Sequence, residues 1–370
     1  MKRFSSNSVE LAYKKAFEVI NKCSTPQGLF ASAGKRGYRG VWARDSVISL
    51  IGATSNGDKK FKDVFKKSLI TLAKYQSKLG QIPNAVLHFE RKKPQVDFES
   101  IDSSLWFIIG EYVYRERYNS ELFKEHKKEI EKALTWLSYQ DMEEDNLLEQ
   151  LPTTDWQDAF PHKYGHTINT QALYFKVLKL INDKKKLKRL KYQVNTNLES
   201  SLWNGNFYWA YRWKNHKKYK EIGEWFDSLG NLLAIVFGLA DKRMSEKIIS
   251  HIKKKKIDEP YPVRAIYPPI KKSSKYWQDY YLDAHATPNN YLNGGIWPFI
   301  GSFYVLALIK LKKFKEAEKE LEKLAEANLK GNFPEWISPL DKNMYGKLQA
   351  WSAGTYILAY ESLKKKRVLI

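Results

Sequence analysis

A short stretch at residues 155–160, DWQDAF, combines two carboxyl groups with aromatic side chains. Its second carboxyl group, Asp158, lies within a few residues of Trp156, Phe160 and Tyr164. Neighbours that displace water raise the pKa of a carboxyl group, and a carboxyl group that keeps its proton near neutral pH can act as a general acid. We therefore interpret Asp158 as a proton donor.

A second carboxyl group with aromatic neighbours is Glu335, which lies between Phe333 and Trp336 in FPEWI. Hydrolysis of a glycosidic bond needs one protonated and one ionised carboxyl group, and in the inverting reaction they stand roughly 6.5–9.5 Å apart. If the chain closes into a ring, Glu335 and Asp158 lie on roughly opposite walls. We therefore assign Glu335 as the general base.

The remaining candidate carboxyl groups are interpreted as ligands for hydroxyl groups or as helix caps. Asp45 follows Arg44, whose guanidinium group would keep it ionised, and this suits hydroxyl binding better than proton donation. Asp102, Asp227 and the amide Asn293 stand at plausible helix starts, where a short polar side chain can cap backbone N–H groups.

Tryptophan residues accompany these polar groups in six segments along the chain. Indole faces stack on the C–H faces of sugar rings, while amides and carboxylates bind hydroxyl groups. For any single tryptophan a place in the core is the better interpretation, but the set of segments favours a carbohydrate site. The tryptophans concerned are Trp42, Trp106, Trp156, Trp225, Trp297, Trp336 and Trp351.

The elements that must position these groups are about twelve helices. Five segments are amphipathic and rich in Lys and Glu, which predicts exposed helices, and the others are apolar on nearly all faces, which predicts buried helices. The exposed segments are 61–78, 121–139, 187–201, 243–255 and 313–328. The buried segments are 7–22, 43–56, 101–117, 167–183, 225–239, 293–309 and 348–365.

This alternation predicts an all-α fold, an (α/α)6 toroid in one domain covering residues 1–370, with a small β-hairpin near 203–214. If the buried helices run parallel, their N-terminal ends meet at one mouth, together with the polar and aromatic segments. An open helical solenoid is the alternative. It is disfavoured because its end repeats should be polar, whereas the last segment is apolar.

The composition is basic, with a formal net charge of +22. The lysines alternate with glutamates at helical spacing, which is more typical of solvated helix faces than of a nucleic-acid groove. Cys23 is the single cysteine, so neither an intrachain disulfide nor a cysteine-based zinc site is expected. We expect no cofactor and no membrane span. Because the first residues lack the apolar region of a signal peptide, we expect a cytoplasmic location.

Five motifs, in order from about residue 30 to 362, resemble those of six-fold α/α-barrel glycosidases. VWARD resembles the first-loop motif of glucoamylases and glycogen-debranching glucosidases, and YLNGGIWPF and FPEWI…KLQAWSAG resemble later motifs of both the debranching enzymes and the alkaline/neutral invertases. DWQDAFPHKYGHTINTQALYF is similar both to the debranching enzymes and to the alkaline/neutral invertases, which FDSLGNLLAI also resembles. The resemblance implies inverting hydrolysis of an α-linked glucosyl unit or of sucrose.

The resemblance also implies that Asp158 is the acid, that Glu335 is the base, and that Arg44 and Asp45 bind the sugar. The full expected set of substrate-binding residues is Trp42, Arg44, Asp45, Asp102, Trp106, Asp155, Trp156, His166, Gln171, Asn293, Trp297, Gln349 and Trp351.

Two departures from the family pattern bear on the substrate. Asn169 stands where the related motifs have an acidic residue, so substrate contacts should differ there. The N-terminal β-sandwich of debranching enzymes is also missing from this sequence, which favours a short oligosaccharide or a disaccharide as substrate.

Other classes of function remain open. One is a carbohydrate-binding or RNA-binding barrel without catalysis, which the net charge supports. Another is an epimerase-like barrel, which the scattered histidines disfavour. A metal site on His162 and His166, four residues apart, lacks an evident third ligand, so no metal is expected.

Overall fold

The computed structural model describes residues 7–34, 37–197, 199–215 and 218–370. Helices dominate this part of the chain. Their bounds are α1 (Asn7–Cys23), α2 (Ala43–Ala53), α3 (Lys62–Lys74), α4 (Asp102–Arg117), α5 (Glu121–Glu125), α6 (Lys127–Ser138), α7 (Ile168–Leu180), α8 (Lys184–Asn195), α9 (Ser228–Phe237), α10 (Lys242–Lys254), α11 (Pro298–Lys310), α12 (Phe314–Gly331) and α13 (Ala350–Lys364).

Six helices form a closed inner ring. α2 contacts α4, and the contacts continue through α7, α9, α11 and α13 back to α2. A Cβ atom on Gly52 of α2 would lie 1.8 Å from the carbonyl oxygen of Gly354 on α13, so the ring closes where two helix backbones touch. The predicted (α/α)6 toroid is therefore confirmed, and the open solenoid is wrong.

The outer layer contains α3, α6, α8, α10 and α12, as predicted, together with α1. The prediction that residues 7–22 form a buried helix is wrong. α1 packs on α12 and α13 through one face only, which includes Val9, Ala16 and Ile20, while Leu11 on the opposite face is exposed. An apolar stripe on one side is enough for a helix that covers the ring from outside.

Several helix boundaries differ from those predicted. The segment 121–139 is two helices, α5 and α6, which meet at His126. Helix α9 begins three residues later than expected because residues 225–227 belong to a strand, and residues 293–297 form a loop before α11. The helix predicted at 187–201 begins earlier, as α8, because Asp183 caps its N-terminus by accepting a hydrogen bond from Lys186 N.

Short antiparallel strands brace the loops that lead into the inner helices. β3 (Gly40–Trp42) ends directly before α2, β6 (His166–Thr167) directly before α7, and β8 (Lys218–Asp227) directly before α9. The other strands are β1 (Ser24–Thr25), β2 (Gly28–Leu29), β4 (Ala85–Leu87), β5 (Gln95–Asp97), β7 (Trp209–Asn215), β9 (Ile266–Tyr267), β10 (Trp336–Ile337) and β11 (Met344–Tyr345). Their sheets are β1–β2, β3–β4–β5, β6–β7–β8–β9 and β10–β11.

The hairpin predicted at 203–214 is only partly correct. The Asn204–Gly205 turn lies between Trp203 and Tyr208, which form a single isolated β-bridge. The long hairpin pairs β7 with β8, and its turn lies outside the described residues. Among the described residues, no helix is both long enough and apolar enough to cross a membrane.

Candidate active site

The loops before the inner helices surround a small cavity of about 100 Å³. Four of these helix starts contribute side chains: α2, α7, α11 and α13. The lining residues are Tyr38, Trp42, Arg44, Asp45, Trp156, Asp158, Tyr291, Trp297, Glu335 and Trp351. The structure thus brings Asp158 and Glu335 together, with six of the predicted substrate-binding residues.

The two carboxyl groups assigned to catalysis both have raised pKa values. Loss of water around Asp158 raises its pKa to about 6, against the opposing charge of Arg44. The Asp158 side chain stays open to the cavity water, and screening by that water reduces the rise. Burial raises the pKa of Glu335 to about 7, although Tyr38 donates a hydrogen bond to Glu335 Oε1 at 3.1 Å.

Asp45 is the third carboxyl group of the cavity, and the expectation that Arg44 keeps it ionised is wrong. Burial raises the pKa of Asp45 to about 7 despite the charge of Arg44. The guanidinium group bonds Asp102 instead, with Arg44 Nη1 at 2.8 Å and 3.0 Å from the two carboxylate oxygens. With three carboxyl groups in one cavity, the protonation states are coupled, so position rather than pKa distinguishes donor from base.

Asp102 was expected to contact substrate and to cap a helix, and both expectations are wrong. It is fully buried and is the first residue of α4, whose cap makes no side-chain hydrogen bond. Ser100 donates its hydroxyl to Asp102, and the ion pair with Arg44 completes its contacts. Asp102 therefore fixes the arginine that reaches the cavity.

Aromatic rings form most of the cavity wall. Trp297 packs edge-to-face against Trp156 at 5.5 Å and against Trp351 at 5.6 Å between ring centroids. The indole N–H groups of Trp42, Trp156 and Trp351 are buried and have no hydrogen-bond partner among the described residues. An unpaired buried donor is costly, so a ligand that supplies acceptors, such as sugar hydroxyl groups, would be favoured here.

Four predicted binding residues lie away from the cavity, because their side chains are used in the core or in loops. Trp106 packs between Phe237 and Phe303 inside the ring. Gln171 and Asn293 bind backbone groups: Gln171 those of Leu148, and Asn293 those of Ile270 and Ala286. His166 is buried in β6, 3.4 Å from Glu149.

Asp155 is also buried away from the cavity, in contact with a lysine that the sequence analysis missed. Lys163 Nζ lies 2.9 Å from Asp155 and 2.7 Å from Asp227. Asp227 caps α9 as expected, accepting from Gly230 N. Asn169, which replaces an acidic residue of the related motifs, lies beside this group, with its Nδ2 3.5 Å from Asp155 Oδ2.

Two tyrosines of the cavity, Tyr38 and Tyr291, were also missed. Tyr38 lies in GYRGVW, just before the VWARD motif, and Tyr291 lies in NNYLNGG, at the start of the YLNGGIWPF motif. A tyrosine beside a tryptophan or a glycine-rich turn carried no charge or spacing signal of its own. Only folding places the Tyr38 hydroxyl against Glu335.

The cavity adjoins two larger grooves, and all three are lined by Tyr38. One groove, of about 840 Å³, is lined by Trp42, Arg39 and Phe89 among others. The other, of about 640 Å³, contains Glu335 and Gln349. Gln349 therefore borders a groove beside the cavity and not the cavity itself. A chain longer than one sugar unit has space in the grooves that adjoin the cavity at Tyr38.

Comparison with known proteins gives sequence matches over part of the chain. A family model described as alkaline and neutral invertase matches residues 215–366. Neutral/alkaline invertase 3, chloroplastic, of Oryza sativa subsp. japonica is 31% identical over 147 residues, which are 38% of this chain and 24% of that protein. Alkaline/neutral invertase E, chloroplastic, of Arabidopsis thaliana is 32% identical over 142 residues, 36% of this chain and 22% of that protein. Each match therefore spans less than a quarter of the relative's length.

Solved structures match nearly the whole fold. A GH63 mannosylglycerate hydrolase from Thermus thermophilus, in complex with glucose, superposes with a TM-score of 0.72 at 13% identity, covering 94% of this chain and 99% of that one. A rhamnosidase from Klebsiella oxytoca with rhamnose bound has a TM-score of 0.66 at 14% identity, covering 96% and 64%. This chain therefore has the closed double ring of helices that these two hydrolases share, and its residues 215–366 are similar to the alkaline and neutral invertases.

Proposed function

We propose that this protein is an inverting glycoside hydrolase that removes a terminal α-glucosyl unit from a short oligosaccharide. The observation that carries the proposal is that Asp158 and Glu335 line one aromatic cavity at the mouth of the ring. Asp158 is the general acid, and Glu335 is the general base. The proposal includes residues 1–370 acting as one catalytic domain, since α1 packs on α12 and α13.

The reaction proceeds in one displacement. Asp158 gives its proton to the glycosidic oxygen while the bond from that oxygen to C1 breaks. A water molecule attacks C1 from the opposite face and gives its proton to Glu335, so the product has the opposite anomeric configuration. Arg44, held by Asp102, places positive charge at the cavity, and the unpaired indole N–H groups bind sugar hydroxyls.

The volume of the grooves supports an oligosaccharide as substrate, of the kind that debranching enzymes or glucoamylases cleave. The cavity of about 100 Å³ is narrow, whereas the grooves beside it measure about 840 Å³ and 640 Å³. Sucrose is the second candidate, and the invertase match over residues 215–366 supports it. A cytoplasmic location stays a prediction; several of the invertase relatives are chloroplastic or mitochondrial by name.

A panel of maltose, isomaltose, trehalose, sucrose, panose and limit dextrin tests this proposal. We expect release of β-glucose from one α-linked member, followed by NMR before the anomers equilibrate. The anomer is assigned on sucrose or panose, whose leaving groups are fructose and maltose, and initial release of α-glucose from either would contradict inversion. Asp283→Asn and Glu259→Gln make the same substitutions at exposed sites outside the cavity. They are the controls for replacing Asp158 by Asn and Glu335 by Gln, and they should cleave like the wild type. If the folded wild-type protein cleaves no member, the hydrolase proposal fails.

A binding protein without catalysis is the competing proposal, and one surface feature favours it. A cleft of about 630 Å³ between α8 and α10 is lined by Lys188, Lys191, Arg243 and Lys247. Nucleic-acid binding there would weaken steeply with salt because counterions are released. Tight, salt-sensitive retention of RNA together with no sugar release would support this alternative over hydrolysis.

A further inference from the structure

One buried ammonium group holds both ends of the loop that carries Asp158. Lys163 Nζ lies 2.9 Å from Asp155 Oδ2 and 2.7 Å from Asp227 Oδ2, and it donates to Gln157 Oε1 at 2.6 Å. All four of these side chains are completely buried. An ammonium group has three N–H donors, and these three acceptors use all of them.

We propose that Lys163 is a positioning residue for the proton donor Asp158, an inference that rests on the hydrolase proposed above. Lys163 does not line the cavity, so it acts through the loop and not on the substrate. Its contacts with Asp155 and Gln157 fall on the two residues that flank Trp156, whose ring forms part of the cavity wall.

The contacts around Lys163 join the loop that carries Asp158 to the inner ring of helices. Asp227, the second carboxylate partner, caps α9 by accepting from Gly230 N at 3.0 Å. Within the loop, Trp156 packs against Trp297 and Phe299 at 5.5 Å and 5.3 Å between ring centroids. The loop is therefore held to α9 by charge and to the start of α11 by aromatic packing, and Asp158 lies between these attachments.

The charge of Lys163 is balanced by two neighbouring carboxyl groups. Burial opposes that charge, but Asp155 and Asp227 outweigh burial and raise the pKa of Lys163. Asp155 stands three residues from Asp158, and its charge adds to the loss of water that raises the pKa of the donor. Without the lysine, these two buried carboxylates would lose their cationic partner, which would destabilise the present arrangement of the loop.

The test uses two substrates that differ in their need for a proton donor. An alkoxide leaving group from maltose or sucrose must be protonated, whereas fluoride from α-D-glucopyranosyl fluoride leaves with little assistance. In Lys163→Met, we expect kcat for the faster of maltose and sucrose to fall at least tenfold more than kcat for the fluoride. A general loss of folded enzyme would lower both equally.

Because Lys163→Met leaves two buried carboxylates unpaired, a compensated variant accompanies it. Asp155→Asn/Lys163→Met/Asp227→Asn removes the charges together, and Asn at a cap retains an acceptor for the helix. Lys176→Met removes the charge of another lysine, on α7 outside the cavity, and serves as the matched control. Circular dichroism and thermal melting establish that each variant is folded.

A selective loss of maltose or sucrose hydrolysis in the folded variants, absent from Lys176→Met, is the result we expect. Equal loss of both activities, or no loss, overturns the positioning role while the hydrolase proposal stands. A wild-type protein that cleaves neither the fluoride nor the O-glycosides overturns the hydrolase proposal, and the role of Lys163 with it.

Discussion

The wall that carries Asp158 and the wall that carries Glu335 hold their carboxyl groups in different ways. Asp158 is open to the cavity water, and the loop around it is held by the buried contacts of Lys163. Glu335 is nearly buried, its own carboxylate accepts from Tyr38, and its backbone N–H donates to Tyr345 O across the β10–β11 pair. A proton donor must reach the substrate oxygen, whereas a base must hold one water molecule, and the two settings match these tasks.

Replacing the two carboxyl groups has the largest expected effect and tests the comparison directly. Asp158→Asn and Glu335→Gln should each lower kcat/KM for the O-glycoside by roughly 100-fold to 10,000-fold, since each removes a proton-transfer group. Asp158→Asn should retain most hydrolysis of α-D-glucopyranosyl fluoride, and Glu335→Gln should lose it. Steady-state kinetics on both substrates measure this. Full activity of either variant on the O-glycoside would refute its assigned role.

The hydrogen bond from Tyr38 to Glu335 acts on one wall only, so its removal should change the pH dependence of activity through Glu335. The base must be ionised and the acid protonated, so activity should peak between their pKa values of about 6 and 7. Tyr38→Phe removes a donor that favours ionised Glu335, so the pKa of Glu335 should rise further above that of Asp158. Activity at pH 6 should then fall by roughly fivefold, and the alkaline limb of kcat/KM, which follows the higher of the two pKa values, should move to higher pH. An unmoved alkaline limb would show that this bond does not tune the base.

The indole N–H of Trp42 is expected to contribute to substrate binding and not to proton transfer. Trp42→Phe keeps a flat apolar face but removes a buried N–H without a partner among the described residues. If a sugar hydroxyl accepts from it, KM should rise by roughly fivefold, equivalent to about 1 kcal/mol, with kcat little changed. Trp336→Phe, whose ring stacks on Tyr345 and does not line the cavity, is the control. Equal KM values in both variants would count against sugar binding by Trp42.

The smallest expected effect concerns stability. The pKa of Glu335 is raised in the folded state, so its contribution is fully present below its unfolded pKa, and it is lost as pH rises through about 7. Glu335→Gln cannot ionise, so its Tm relative to wild type should be higher at pH 8 than at pH 5, by about 1–3 °C. Scanning calorimetry at the two pH values measures this. A difference of the opposite sign would mean that the folded protein stabilises the ionised form.

Much of the architecture could be predicted from the sequence, and the reasons are local. Apolar residues on all faces of α11 and α13, against one apolar face on α12, distinguish inner from outer helices without any knowledge of contacts. Two of the errors arose at helix starts. Residues 225–227 pair in a strand, and the turn residues Asn293, Gly294 and Gly295 form a loop in which the Asn293 side chain binds backbone groups.

The candidate site was predicted less completely. The aromatic and acidic segments pointed to Asp158, Glu335 and Trp351, which do meet at one cavity. Asn293 and Gln171 have side chains typical of sugar binding, yet they satisfy backbone groups of neighbouring loops. A sequence shows which groups can form hydrogen bonds, but the partner of each group depends on which segments become neighbours.

The sequence alone therefore determined the repeated pair of outer and inner helices, and the residues that could carry proton transfer, because helical periodicity and side-chain chemistry are properties of short segments. Tertiary structure decided which charges pair. Arg44 binds Asp102 and not the adjacent Asp45, and Lys163 joins Asp155 to Asp227, which lies 64 residues away from the lysine. Buried charges require partners, and in a closed ring those partners come from segments that the chain brings together only on folding.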